Sequence, residues 1–230
     1  MKATKRAWFL LPAGAALAIA LGQPVRTLAV HYWFSAHMLQ HILLQLVAPP
    51  LALLALAPPE NHRDVAENLS PKAAVAMWLA GVGAMWIWHA PFLCNAVIES
   101  PVLRWFQFAT LLLMGAMFWW PIAGPRRQWR LPPPIGILYL FTACLGCTAL
   151  GIVVTFAPPD LYGRYFHAAA APGIFHDWIT TPAADQRLGG LLMWVPACFI
   201  YITGILGLLN RWYAEPETGV IPAAASQPGF

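Results

Sequence analysis

"HYWFSAHMLQHILLQLVAPP", residues 31–50, decides the fold class. Apart from His37, Gln40, His41 and Gln45 the run is made for lipid, and "LALLALA" extends it at 51–57. A bilayer core about 30 Å thick needs roughly 20 apolar residues at about 1.5 Å rise each. The stretch therefore predicts a membrane-crossing helix. Polar side chains in such a helix cost free energy unless they find partners, and they mark functional sites by default. His37 and His41 stand one turn apart on one face, and Gln45 continues that stripe.

The rest of the chain has the same character. Hydrophobic residues make up 60% of the 230 and charged residues only 10%, with twelve Trp. A soluble domain carries about 25% charged residues. The composition predicts an all-α, polytopic membrane helix bundle. Six spans of sufficient length and apolarity fall at about 8–22, 32–56, 73–88, 102–122, 135–156 and 188–209. Proline clusters at 48–50, 57–59, 132–134 and 157–159 are expected to mark helix ends. The net charge of +4 comes from loop Lys and Arg, with no basic run interleaved with aromatics, so no nucleic-acid partner is indicated. Three of the four Cys lie inside apolar segments, which excludes a secreted disulfide framework.

Loop charges orient the bundle. With a cytoplasmic N-terminus, Lys2, Lys5, Arg6, Arg63, Lys72, Arg126, Arg127, Arg130 and Arg211 lie inside, nine in all, against four outside (Arg26, Arg104, Arg164 and Arg187). Both termini are expected in the cytoplasm. Residues 1–213 read as a single bundle domain. Residues 1–22 also have the basic start and apolar stretch of a signal peptide, and their removal would leave the orientation unchanged. Residues 214–230 have the composition of a disordered tail. The 157–187 connection, rich in aromatics, Pro and His, reads as an ordered lid or a surface-lying segment.

On this topology His37 and His41 sit about 9 and 15 Å below His31, toward the outer side. Neutral imidazoles are good metal ligands, and two at i, i+4 can share one ion. Equally, both rings can serve as hydrogen-bond partners to neighbouring helices. At matching depth lie Cys147 and Met193, with Cys144 a turn deeper. Thiolate, thioether and imidazole suit Cu(I), yet Cys and Met are also ordinary packing residues. Met38, about 100° round the helix from His37, is expected to face elsewhere. Trp86 and Trp88 suit an interfacial aromatic belt. His89, just before Ala90-Pro91, either closes a surface site with His31 or His176 or caps its helix. His167 has no fixed spacing partner, and His62 looks merely solvated. Asp185 opens the sixth helix, where a carboxylate favours the helix dipole; alternatively it orients a histidine at a cavity mouth. Gly189, Gly190, Gly146 and Gly151 allow close helix contact. No nucleophile elbow, phosphate-cradling loop or paired carboxylate occurs within a span, so no enzyme is indicated.

The blocks "SAHMLQHILLQLVAPPLALLALA", "WIWHAPFLCNAVIESPVLRWFQFATLLLMGAMFWWPI", "APPDLYGRY" and "ADQRLGGLLMWVPACFIYI" resemble the CtaG-type cytochrome c oxidase assembly factors linked to caa-type oxidases. The resemblance covers about residues 31–205. It implies a bacterial inner-membrane protein that assists oxidase maturation, with copper handling the usual proposal and oxidase subunits as partners. The motif positions are His37, His41, Trp88, His89, Asp160, Asp185, Gln186, Met193 and Trp194. Members commonly have a seventh span, where six are counted here. Three readings stand side by side: a factor that holds and delivers copper near the outer face, with His37, His41, His89, Met193 and Cys147 as candidate ligands; a metal-free scaffold for nascent oxidase subunits; and a small-solute or metal-ion permease. The missing acidic relay and missing repeats argue against the last as a coupled transporter.

Overall fold

The computed structural model describes residues 7–56, 69–158, 161–162 and 181–214. His62, Asp160, His167 and His176, the tail beyond 214 and most of the 157–187 connection lie outside the described residues.

All regular structure among these residues is helical. The helices are α1 (Leu10–Leu21), α2 (Val25–His31), α3 (Phe34–Leu56), α4 (Pro71–Trp88), α5 (Pro91–Glu99), α6 (Pro101–Ala123), α7 (Pro133–Phe156) and α8 (Pro182–Ala214). Five stretches are long and apolar enough to cross a membrane, namely Leu10–His31, α3, α6, α7 and α8. The number is six if α4 with α5, a pair bent by 71°, counts as one span. The composition is that of a multi-pass membrane protein; five of the six expected spans correspond to these five, and the third corresponds to the bent pair. The first extends beyond residue 22, through α2, to His31.

The segment quoted at the outset is the centre of the bundle. Half of the apolar stretch of α3 is buried, more than in Leu10–His31, α6, α7 or α8. Pro49 and Pro50 lie inside it, so the expectation that residues 48–50 end a helix is corrected. Each proline lacks an N–H, and its ring presses on the carbonyl four residues back. Here the preceding turn, Leu43–Val47, widens into a π-helix, which gives those carbonyls room. The wider turn shifts the register below His41. Gln45 donates through Nε2 to the Gly81 carbonyl on α4 at 2.6 Å. Helix α6 fits against this turn through Gly115, where a Cβ would stand 2.6 Å from the Gln45 carbonyl oxygen.

Small residues also close the α7–α8 seam, as expected for Gly151 and Gly190. A Cβ at Gly151 would meet the Trp194 side chain at 2.5 Å; one at Gly190 would meet Thr155 Oγ1 and, at 2.7 Å, Thr155 N. Gly189 meets Phe34 and Met38 on α3 instead, and Gly146 has only Val82 nearby, at 3.4 Å. Because the atoms against Gly190 include backbone, they cannot swing aside. Gly190→Ala should cost about 1–3 kcal/mol, seen as a lower thermal unfolding midpoint in detergent. An unchanged midpoint would show that α7 and α8 do not meet this closely.

Among the described residues the two ends of the bundle differ in charge. Arg126, Arg127, Arg130 and Arg211, with Lys72 at the start of α4, gather at one end, where Arg211 donates to the Leu131 carbonyl. The opposite end holds the start of α3, the α4–α5 bend and the start of α8. Asp185 and Gln186 knit it together.

Candidate metal centre

Helix α3 begins without a cap of its own. Trp33 stands at the N-cap position and offers no side-chain oxygen. The cap comes from α8: the Asp185 carboxylate accepts from Phe34 N at 2.6 Å, Ser35 N at 3.0 Å and Ser35 Oγ at 2.5 Å. A carboxylate at a helix N-terminus satisfies orphan N–H groups and favours the dipole. The capping chemistry is the one expected of Asp185, but it acts on another helix. The next residue works on a third. Gln186 Nε2 donates to the carbonyls of Val154 at 3.2 Å and Ala157 at 2.7 Å, closing the end of α7. The Asp-Gln pair thus fixes the ends of α3 and α7 against α8.

Held this way, α3 starts at Phe34, not near residue 32. His37 is then only about 5 Å and His41 about 11 Å below the helix start. Both are buried, and their Nε2 atoms stand 3.0 Å apart. One proton serves that contact, so one ring donates and the other accepts. His41 Nδ1 is buried without a hydrogen-bond partner. Gln107 of α6, fully buried, lies beside His41, and both of its amide atoms are without a partner too.

His89 joins this pair. It is buried, its ring centroid 4.8 Å from that of His41. The placement corrects the expected surface site with His31, which is exposed. At the end of α4 the last turn tightens: His89 N bonds the Trp86 carbonyl, and the Met85 carbonyl is taken by His89 Nδ1 at 2.5 Å. A carbonyl only accepts, so Nδ1 carries the hydrogen and Nε2 of the neutral ring presents a lone pair. That lone pair faces Met38 Sδ at 3.1 Å. Met38 therefore faces the site, against the expectation from the helical wheel. Tyr162 covers this end: its hydroxyl donates to the His89 carbonyl at 3.0 Å and its ring packs on Phe34 at 4.7 Å. Burial pushes the Tyr162 phenol up, so it stays protonated and donating.

The other candidates make different contacts. Trp88 is not an interfacial residue; it is buried and donates through Nε1 to Thr110 Oγ1 at 2.9 Å, while Trp86 is exposed. Cys147 and Met193 are both buried in the α7–α8 seam, where the thiol donates to the Met193 carbonyl at 2.9 Å. Cys144 meets Cys198 across the same seam, sulfur to sulfur at 3.2 Å. A disulfide needs about 2.05 Å, a short approach between two partly exposed thiols. Treatment with a thiol oxidant such as diamide should therefore join Cys144 to Cys198, read as loss of two hydrogens by mass. Cys198→Ser should abolish the product, and a cross-link through Cys94 or Cys147 instead would contradict this packing.

Chemically, the cluster is three imidazoles and a thioether, with the nearest described carboxylate spent on the α3 cap. Among the described residues no three His, Cys, Asp or Glu side chains already surround one point. The geometry gives the reason: His37 and His41 spend their Nε2 atoms on each other, and His89 turns its own toward sulfur. Sequence reasoning missed Met38 and Gln107. Gln107, a lone amide in the apolar run "RWFQFATLLL", could have been found by the same test that singled out His37.

Comparison with known proteins finds relatives of the chain in sequence. The family model described as "Cytochrome c oxidase caa3 assembly factor (Caa3_CtaG)" matches residues 1–215. An uncharacterized protein of Mycobacterium leprae (strain TN) is 25% identical over 206 residues, covering 78% of this chain and 30% of that protein. One from Mycobacterium bovis is 26% identical over 231 residues, covering 86% of this chain and 32% of its own length. The chain thus spans about a third of the curated relatives it matches. No solved structure matches it.

Proposed function

The chain belongs to the cytochrome c oxidase caa3 assembly factor family, and on that premise we propose that it holds copper, as cargo for a caa3-type oxidase, in the cluster of His37, His41, His89 and Met38. The observation that carries this reading is the convergence of three buried imidazoles with a thioether, Nε2 to Nε2 at 3.0 Å and Nε2 to Sδ at 3.1 Å. Nitrogen and sulfur donors without carboxylate suit Cu(I), not Mg²⁺, Ca²⁺ or Mn²⁺. Neutral donors leave the ion's charge uncompensated, which penalises a divalent ion more than a monovalent one.

Binding requires the rings to turn from one another toward the ion, with Gln107 beside them to take up a hydrogen bond from His41. Mutual hydrogen bonds in the empty-handed state favour release, which suits a carrier. Cys147 and Met193 serve the seam behind the site in this reading, and Asp185, Gln186 and Trp88 position the helices. The basic end of the bundle faces the cytoplasm, both termini with it, so that the cluster lies toward the outer side of a bacterial inner membrane. Oxidase subunits are the receiving partners, and residues 1–213 act as one bundle domain.

The test is copper content of the purified full chain after exposure to Cu(I). About one copper per chain is expected, lost in the His37→Ala/His41→Ala double variant. No copper in either protein, with oxidase assembly intact in the double variant, would favour the metal-free scaffold. Copper flux into proteoliposomes would favour a permease.

A further inference from the structure

One buried side chain in the bundle has no use in the copper-free protein. Gln107 of α6 is fully buried, yet neither its amide oxygen nor its amide nitrogen has a hydrogen-bond partner. It lies beside His41. Of the two ring nitrogens there, Nε2 meets His37 at 3.0 Å and Nδ1 has no partner. Three polar atoms thus lie together unjoined, and each costs free energy, because water was given up and nothing replaced it. The turn that carries Gln107 is fixed. Thr110 Oγ1 donates to the Gln107 carbonyl at 2.9 Å and accepts from Trp88 Nε1 at 2.9 Å, which ties this turn to α4 one residue before His89. Burial denies the amide an escape to water.

Resting on the copper reading above, we propose that Gln107 is a positioning residue for the loaded state: its Oε1 accepts from His41 Nδ1 when His41 Nε2 turns from His37 to Cu(I). A neutral imidazole has one hydrogen, so coordination through Nε2 puts that hydrogen on Nδ1. A metal-bound histidine keeps its tautomer and orientation by donating that N–H to a carbonyl or carboxylate. Gln107 Oε1 is the unused carbonyl at hand. In the copper-free protein the mutual bond of His37 and His41 holds the ring off this partner. One ring therefore exchanges partners, His37 without the ion and Gln107 with it. An interaction made in one state only shifts the equilibrium toward that state. Gln107 accordingly strengthens copper binding and weakens the copper-free fold.

The experiment pairs two measurements on the full chain in detergent: Cu(I) affinity by competition with a chromogenic chelator, and the thermal midpoint of the copper-free protein. Gln107→Leu should weaken Cu(I) binding about 10- to 100-fold. The same variant should raise the copper-free midpoint by roughly 2–4 °C, since an apolar side chain of similar size removes the orphan amide. Opposite signs in one variant are what a merely structural role would not give. Gln107→Glu keeps an acceptor oxygen at the same reach; it should bind Cu(I) about as tightly as the wild type and show no rise in midpoint. Wild-type affinity in Gln107→Leu, a copper-free midpoint of that variant at or below the wild type's, or an affinity in Gln107→Glu as low as in Gln107→Leu would overturn the proposal and leave the copper reading in place. A wild type that binds no Cu(I) would remove that reading, and this inference with it.

Discussion

His89→Ala is expected to weaken Cu(I) binding about 100-fold or more, as severely as loss of His37 or His41. Removing a group that merely orients a metal ligand costs about 10- to 100-fold in affinity, so a direct ligand should lie at or beyond the upper end. The expectation rests on the 4.8 Å approach of the His89 ring to His41 and on the lone pair that its bond to Met85 leaves at Nε2. The change also leaves the Met85 carbonyl without its ring donor, at about 1–3 kcal/mol, so the thermal midpoint is measured beside the affinity. His31→Ala, at an exposed ring outside the cluster, should bind like the wild type. Competition against a chromogenic Cu(I) chelator reads both. Wild-type affinity in His89→Ala would remove α4 from the site and leave the paired histidines of α3 alone.

Asp185→Ala should be the most destabilising single polar substitution, at about 3 kcal/mol or more. It strips acceptors from Phe34 N, Ser35 N and Ser35 Oγ at once, and each buried donor left unpaired costs about 1–3 kcal/mol. Helix α3 would lose its N-terminal cap one turn above His37, so copper affinity should fall with stability. Asp185→Asn retains one acceptor oxygen and should lie between. Ser35→Ala removes one bond and should cost about 1 kcal/mol. Thermal unfolding in detergent gives the order, Asp185→Ala lowest, then Asp185→Asn, then Ser35→Ala. A midpoint for Asp185→Ala close to the wild type would mean that α8 does not cap α3.

Hydropathy and length were enough to find the spans, because the bilayer imposes one dimension that a single sequence can be read against. The pairing of His37 with His41 was legible for a similar reason, since a face one turn long is local. The small-residue contact of α7 with α8 was legible too, but most of what is decided between helices was not. Pro49 and Pro50 read as a terminator, but tertiary packing at Gly115 supports a π-turn that absorbs both. His89 read as an edge residue because Pro91 follows. The 71° bend there and the cover of Tyr162 bury it instead. Met38 was set aside on the wheel of its own helix, which says nothing about which neighbour covers each side. Asp185 was recognised as a cap, but no local rule says that a cap serves a helix 150 residues away.

The central claim, that sulfur from Met38 joins imidazole nitrogens around one Cu(I), is tested most directly by X-ray absorption on the copper-loaded full chain. The account predicts nitrogen scattering of imidazole type together with one sulfur shell, the sulfur absent from Met38→Leu and retained in Met193→Leu and Cys147→Ser. A spectrum with no sulfur, or one whose sulfur survives Met38→Leu, would contradict it.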